Sequence, residues 1–200
     1  MPRSLPEDVA PASGSRLPLP RREELDAEAQ QIFDRLMDPK GGSIVGLKGP
    51  GGIRLHSSKV SHHTQAINTY LRREAEYSGR VRELAILTTA RACDSQFEWT
   101  AHEPEARREG VPQAVIDVVK HRKSTAGLDE ADAVIIDLGR EMFDAKKVSP
   151  ATYARAHRRF GTRPLIDLVA LMGNYAATAA LLCAFDMQVD LAQEPLLPLP

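Results

Sequence analysis

Apolar residues recur along this chain at intervals of three and four, the spacing that lines them up on one face of an α-helix. Leu25, Ala29, Ile32, Phe33 and Leu36 form the first such stripe, in a helix predicted over 21–37. A loop follows to about Leu55, holding Gly41, Gly42, Gly46, Gly49, Gly51 and Gly52. Connections of that length inside compact domains often carry function. The next helix is expected from Ser57 or Ser58, a capping serine, to Glu76. Further helices are predicted over 80–93, 96–109, 112–122, 129–146, 150–160 and 164–187. Punctuation sets these limits. Asp94-Ser95 interrupts, Gly110 supplies a left-handed terminus, Pro112 and the pair Ser149-Pro150 open new helices, and Gly161 closes one. No segment alternates with period two over a useful length, and no repeat of fixed period is present. The pattern predicts an all-α chain: an extended, proline-rich arm over 1–20, one helical domain over 21–190, and a tail over 191–200 that cannot continue a helix.

One stretch, Leu168 to Phe185, carries no charge and approaches the length of a membrane span. It holds Gly173, Asn174, Tyr175 and Thr178, however, and is rich in alanine, so a core or subunit-interface helix is expected and no membrane partner. The formal net charge of −1 gives no global attraction to nucleic acid or anionic lipid. Basic residues cluster locally (Arg72, Arg73, Arg80 and Arg82; Arg155, Arg158 and Arg159), in patterns that read as solvated helix faces. Two cysteines, Cys93 and Cys183, make neither a disulfide framework nor a CxxC pair. With no charged-then-apolar leader, the expected location is cytoplasmic. His56, His62 and His63 do not have metal-site spacing, since adjacent helical side chains diverge by about 100°. The glycine loop lacks the Gly-Lys-Ser/Thr ending of a phosphate loop. No metal and no cofactor are expected.

The stretch ELAILTTARACDSQFEWTAH, Glu83 to His102, offers chemistry. Glu98 and His102 are four apart, so on a helix they lie about 40° apart in azimuth and one turn along. A carboxylate beside an imidazole orients the ring and raises its basicity, which makes a proton-transfer pair. Ser95 precedes Glu98 by three residues and shares that side. Spacing alone leaves two other readings open: Ser95-x-x-Glu98 also matches a capping box, and Glu98 with His102 also matches an ordinary surface pair.

Phe97-Glu98-Trp99-Thr100-Ala101-His102-Glu103-Pro104, preceded by Arg82-Glu83-Leu84 and followed by Ala106 through Gly110, resembles the core of the carboxymuconolactone decarboxylase / alkylhydroperoxidase D-like family. Supporting likeness extends to Gly49-Pro50, Leu55-His56-Ser57, Tyr70-Leu71-Arg72 and the closing Leu181-Leu182-Cys183-Ala184-Phe185, covering about residues 22 to 190. The resemblance implies an AhpD-like multi-helix bundle that assembles as a homotrimer or hexamer. It also implies one of two chemistries: metal-free decarboxylation of a small carboxylated lactone, as in aromatic-compound catabolism, or thiol–disulfide chemistry through CxxC, the source of the peroxidase label.

By position, Glu83 falls where the redox branch keeps a relay glutamate and His102 where it keeps its histidine. That branch's two cysteines would fall at Ser95 and Glu98. Serine forms no disulfide, and Cys93 lies about 200° around a helix from Ser95, where a buried, inert thiol is expected. The resemblance therefore implies a lyase-like acid/base enzyme with His102, Glu98 and Glu83 as catalytic residues. Ser95, Arg54, His56 and Arg82 are the candidate substrate-binding residues, and a small carboxylate is the expected substrate. Decarboxylation, isomerisation and hydration all need a placed base and a polarised carbonyl, so the reaction type stays open. A thiol-dependent peroxidase and a non-catalytic ligand-binding oligomer are the rival classes.

Overall fold

Every regular element among the described residues, 4–40 and 43–198 of the computed structural model, is a helix; one isolated bridge, Ala10 to Ser15, is the sole β feature. The all-α expectation holds. Residues 1–3, Gly41 and Gly42 of the predicted loop, and residues 199–200 of the tail lie outside the described residues. The chain divides into two compact units, residues 1–70 with 180–194 and residues 71–179 with 195–200, where the sequence pattern suggested one helical domain over 21–190.

In the first unit the opening segment is not the extended arm that its prolines suggested. Ala10 donates to the Ser15 carbonyl at 2.8 Å, and Gly14 donates to that of Ala10 at 2.9 Å, closing a tight turn. The turn is tied to the chain after the last helix: Arg16 N–H donates to Phe185 at 2.9 Å, and Gln188 N–H to Gly14 at 2.8 Å. Ser13, whose hydroxyl reaches the Leu17 carbonyl at 2.5 Å, and Ser15 are buried, so side chains satisfy backbone groups that an extended arm would leave to water.

Helix α1, Ala27–Met37, starts later than predicted because the Asp26 carboxylate accepts the Ala29 N–H at 2.9 Å. Only a single 3₁₀ turn, Arg22–Glu24, precedes it. The long loop also ends early, at α2, Pro50–Arg54, with proline at the first helical position. Ala29, Ile32 and Leu55 form a small core with Leu25, Phe33, Leu36 and Leu47 packed against it. Helix α3 is Ser58–Thr69, and the predicted run to Glu76 becomes a π turn over Tyr70–Glu74.

The second unit is built on α4, Gly79–Ala92, whose residues from Glu83 through Ala90 are all buried. Helices α5 (Gln96–Arg108), α6 (Gln113–Lys120) and α7 (Glu130–Phe143) pack on it, and α8 (Pro150–Phe160) packs on α7. Where α4 and α7 touch, a Cβ on Gly139 would lie 2.5 Å from Thr88 Cγ2, so only glycine allows this approach. The turn between α4 and α5 is short: Asp94 takes φ 48°, and Ser95 N–H bonds back to Ala90 at 2.8 Å. This reversal makes the two helices an antiparallel pair. At the far end of α5, Gly110 (φ 83°) lets Val111 N–H return to Ala106 at 2.9 Å. The Glu141 carboxylate accepts Ser149 N–H at 2.5 Å and Thr152 Oγ1–H at 2.7 Å, fixing the start of α8.

Helix α9, Thr162–Ala184, is long and apolar enough to cross a membrane by length and composition. One face is buried through Leu165, Leu168, Leu171, Met172 and Tyr175, while Ile166 and Val169 are exposed. The C-terminal tail returns to α5. Gln96 pairs through both ends of its amide with Leu197, Nε2–H to the carbonyl at 3.1 Å and Oε1 from the N–H at 2.7 Å.

Candidate active site

Glu83 stands on α4 and Glu98 and His102 on α5, so the short Asp94–Ser95 reversal brings the three together. His102 Nδ1 lies 2.7 Å from Glu83 Oε2, and its Nε2 lies 3.5 Å from Glu98 Oε2. All three side chains are buried. Burial pushes the Glu83 carboxyl up, but the hydrogen bond and charge of His102 and the bond from Arg82 outweigh it, and the carboxyl is held below its ordinary value. Glu83 is therefore ionised at neutral pH and can only accept, which places a proton on Nδ1. Nε2 is left as the nitrogen that shares a proton with Glu98 or with a substrate atom. Tyr175, from α9, sets its ring T-shaped to that of His102, centroids 5.2 Å apart.

Arg82 Nε donates to Glu83 Oε1 at 2.9 Å, Nη1 to the Arg72 carbonyl at 3.1 Å, and Nη2 to Glu109 Oε1 at 3.2 Å. Burial opposes its charge, but Glu83 and Glu109 prevail and hold the guanidinium protonated. It orients Glu83 through Nε and directs one N–H from each Nη to the protein.

Ser95 is the residue before α5 but makes no side-chain cap bond, so the capping-box reading fails, and Glu98 turns to His102 instead. Arg54 ends α2 and His56 follows it, both in the first unit, whereas the Glu83–His102–Glu98 cluster is in the second. The exposed His56 ring donates Nε2–H to the Pro18 carbonyl at 3.0 Å. Cys93 is exposed, not buried as expected, because it caps the end of α4 at the reversal. Local desolvation still raises its thiol, so it is not an activated thiolate. Cys183 is exposed as well. Among the described residues, no group of three or more His, Cys, Asp and Glu side chains is arranged to hold a metal ion.

The helices, their order and the buried Glu–His–Glu arrangement can be set beside known proteins. The chain is similar to a solved structure titled alkylhydroperoxidase AhpD core, an uncharacterized peroxidase-related protein from Ralstonia eutropha JMP134. The superposition has a TM-score of 0.70 and covers 88% of this chain and 93% of that one, at 17% identity. The fold is AhpD-like. No family model and no curated protein matches the sequence. At that identity the likeness speaks for the AhpD-like fold alone.

Residue reading missed three participants within this AhpD-like framework. Tyr175 was visible only as a polar intrusion in an apolar helix, and Arg72 only as one of a basic run. Glu103, next to His102, is also buried. It accepts from Trp99 Nε1–H and Arg107, with Lys120 Nζ 3.5 Å away. Its neighbours at i−4 and i+4 were the available signal.

Proposed function

We propose that this chain is an acid/base enzyme of the decarboxylase type, acting without a metal on a small carboxylated, lactone-like substrate. The observation that carries the reading is one buried imidazole held between two carboxylates, 2.7 Å from Glu83 and 3.5 Å from Glu98. Glu83 fixes the ring and its tautomer, and Nε2 with Glu98 handles the proton. In a decarboxylation the carbon–carbon bond to the carboxylate breaks and CO₂ leaves. Its electron pair passes into a carbonyl-conjugated enolate. A proton from the Nε2–Glu98 pair then adds to carbon and is replaced from water. Isomerisation would use the same pair to remove and return a proton.

Thiol peroxidase chemistry draws less support: Ser95 and Glu98 stand where a CxxC pair would be needed, and the Cys93 thiol is raised. Self-association as a trimer or hexamer belongs to the proposal, supported by the exposed Ile166 and Val169 on α9. A second reading, a ligand-binding oligomer without catalysis, draws on the burial of His102, whose side chain is only 5% exposed. The deciding experiment is a turnover screen of small carboxylated lactones and β-keto acids with His102→Ala alongside. Turnover that vanishes in the folded variant supports the enzyme, and turnover that persists sinks it. A folded oligomer that turns over nothing transfers the weight to the second reading.

A further inference from the structure

An enzyme that removes or moves a carboxylate needs a cation or strong donor to hold it, and Arg82 is already engaged on Glu83, Glu109 and the Arg72 carbonyl. Arg72 is different. It sits half-buried on the π turn Tyr70–Glu74, an element often found at functional sites. Its own carbonyl, bonded to Arg82 at 3.1 Å, joins that turn to the Arg82–Glu83–His102 chain. Among the described residues its guanidinium has no ion pair and no hydrogen bond, yet its charge acts on both Glu83 and Tyr175.

Tyr175 meets the same centre from α9. It is 7% exposed, its ring is T-shaped to His102 at 5.2 Å, and among the described residues its hydroxyl has no hydrogen-bond partner. The hydroxyl oxygen is not among the fully buried polar atoms that lack a partner, so it keeps contact with solvent and is open to an acceptor. Burial also holds this phenol protonated far above neutral pH, so it is available as a donor.

We propose that Arg72 and the Tyr175 hydroxyl together receive the substrate's carboxylate beside His102, in the role first given to Arg54, His56 and Arg82. The assignment rests on the acid/base reading for what happens after binding, but the binding itself is measured without turnover. A guanidinium suits a planar carboxylate because it donates two parallel N–H bonds, and a phenol adds a third. The substrate class that follows is a small acid bound as its anion, with the neutral carboxamide of the same shape rejected.

Calorimetric titration of the full chain with γ-carboxy-γ-butyrolactone, and with its neutral carboxamide, tests this directly. The acid should bind and the carboxamide should not. Arg72→Gln should weaken the acid about tenfold or more and Tyr175→Phe about threefold to tenfold, while the exposed Arg108→Gln leaves it unchanged. Circular dichroism checks that each variant folds. Should Arg72→Gln fail to fold, Arg72→Lys, which keeps the charge but loses the fork, should bind more weakly than the parent. Binding of neither compound, equal binding of both, or parent affinity in a folded Arg72→Gln protein overturns the proposal. Arg72-dependent binding with no turnover anywhere in the lactone and β-keto acid screen would undo the enzymatic reading and leave the anion site standing. Turnover that needs His102 but keeps its KM in Arg72→Gln would do the reverse.

Discussion

Helix α5 buries two carboxylate clusters on neighbouring faces, and they are finished differently. Glu103 is met by an indole N–H, a guanidinium and an ammonium, groups that donate and do not accept. Glu98 faces an imidazole nitrogen at 3.5 Å, and Glu83 holds the other nitrogen of that ring at 2.7 Å. Both clusters resolve the cost of burying charge by pairing it. Only the second pairs it with an imidazole, a ring whose two nitrogens can donate or accept. Residues five positions apart on one helix therefore have different partners: Glu103 reaches from α5 to Lys120 of α6, and Glu98 faces the ring of His102.

The sharpest way to break the comparison is to remove proton exchange and keep the hydrogen bond. His102→Gln should lower kcat/KM on any substrate found in the screen by about a hundredfold or more, with the fold retained by circular dichroism. A variant that keeps full activity would make the two clusters equivalent. Glu103→Gln should do the opposite, costing about 2–3 kcal/mol of stability in urea unfolding because Arg107 and Lys120 lose a buried counter-charge. Its turnover should change little.

The linkage to pH comes next. The Glu83 carboxyl is depressed in the folded protein, so its contribution is complete above the unfolded value near 4.3 and is lost as pH falls through the folded value. Unfolding free energies of the parent and Glu83→Gln should therefore converge as pH is lowered from neutral through that range; a constant difference would remove the claim. The smallest effect belongs to Arg108, paired with Glu105 on the solvent side of α5 and 68% exposed. Arg108→Ala should shift stability by no more than about 0.5 kcal/mol, which sets the surface baseline for the buried clusters.

The second unit was largely legible because its helix ends are written in residues with one strong conformational preference. Gly110, Ser149-Pro150 and Gly161 stand where α5 ends, α8 begins and α8 ends. The first unit was less so. Leu25 continues the periodic stripe of α1, so nothing in the spacing shows that Asp26 caps the helix behind it. Pro50–Arg54 hides a helical turn among glycines, and the opening segment folds through serine side chains whose acceptors are distant in sequence. At the site, the pairing of Glu98 with His102 follows from spacing on one helix, whereas Glu83 came from the family resemblance. What Arg82 does depends on Glu109 and on the carbonyl of Arg72, on other elements, and no local pattern encodes that. The exposure of Cys93 has the same origin, since it is fixed by where α4 stops.

Trp99 is the only tryptophan of the chain, fully buried, with its indole N–H on Glu103. Indole emission responds to nearby charge and to water, and here a single ring supplies all of it. Excited beyond the tyrosine absorption band, the fluorescence of this protein consequently samples one turn of α5. A shift of its emission to the red marks the loosening of the helix that holds Glu98 and His102, and quenching without a shift marks a change in the charge beside the ring. Ligand binding at the adjoining face can thus be followed in the unlabelled protein, by light.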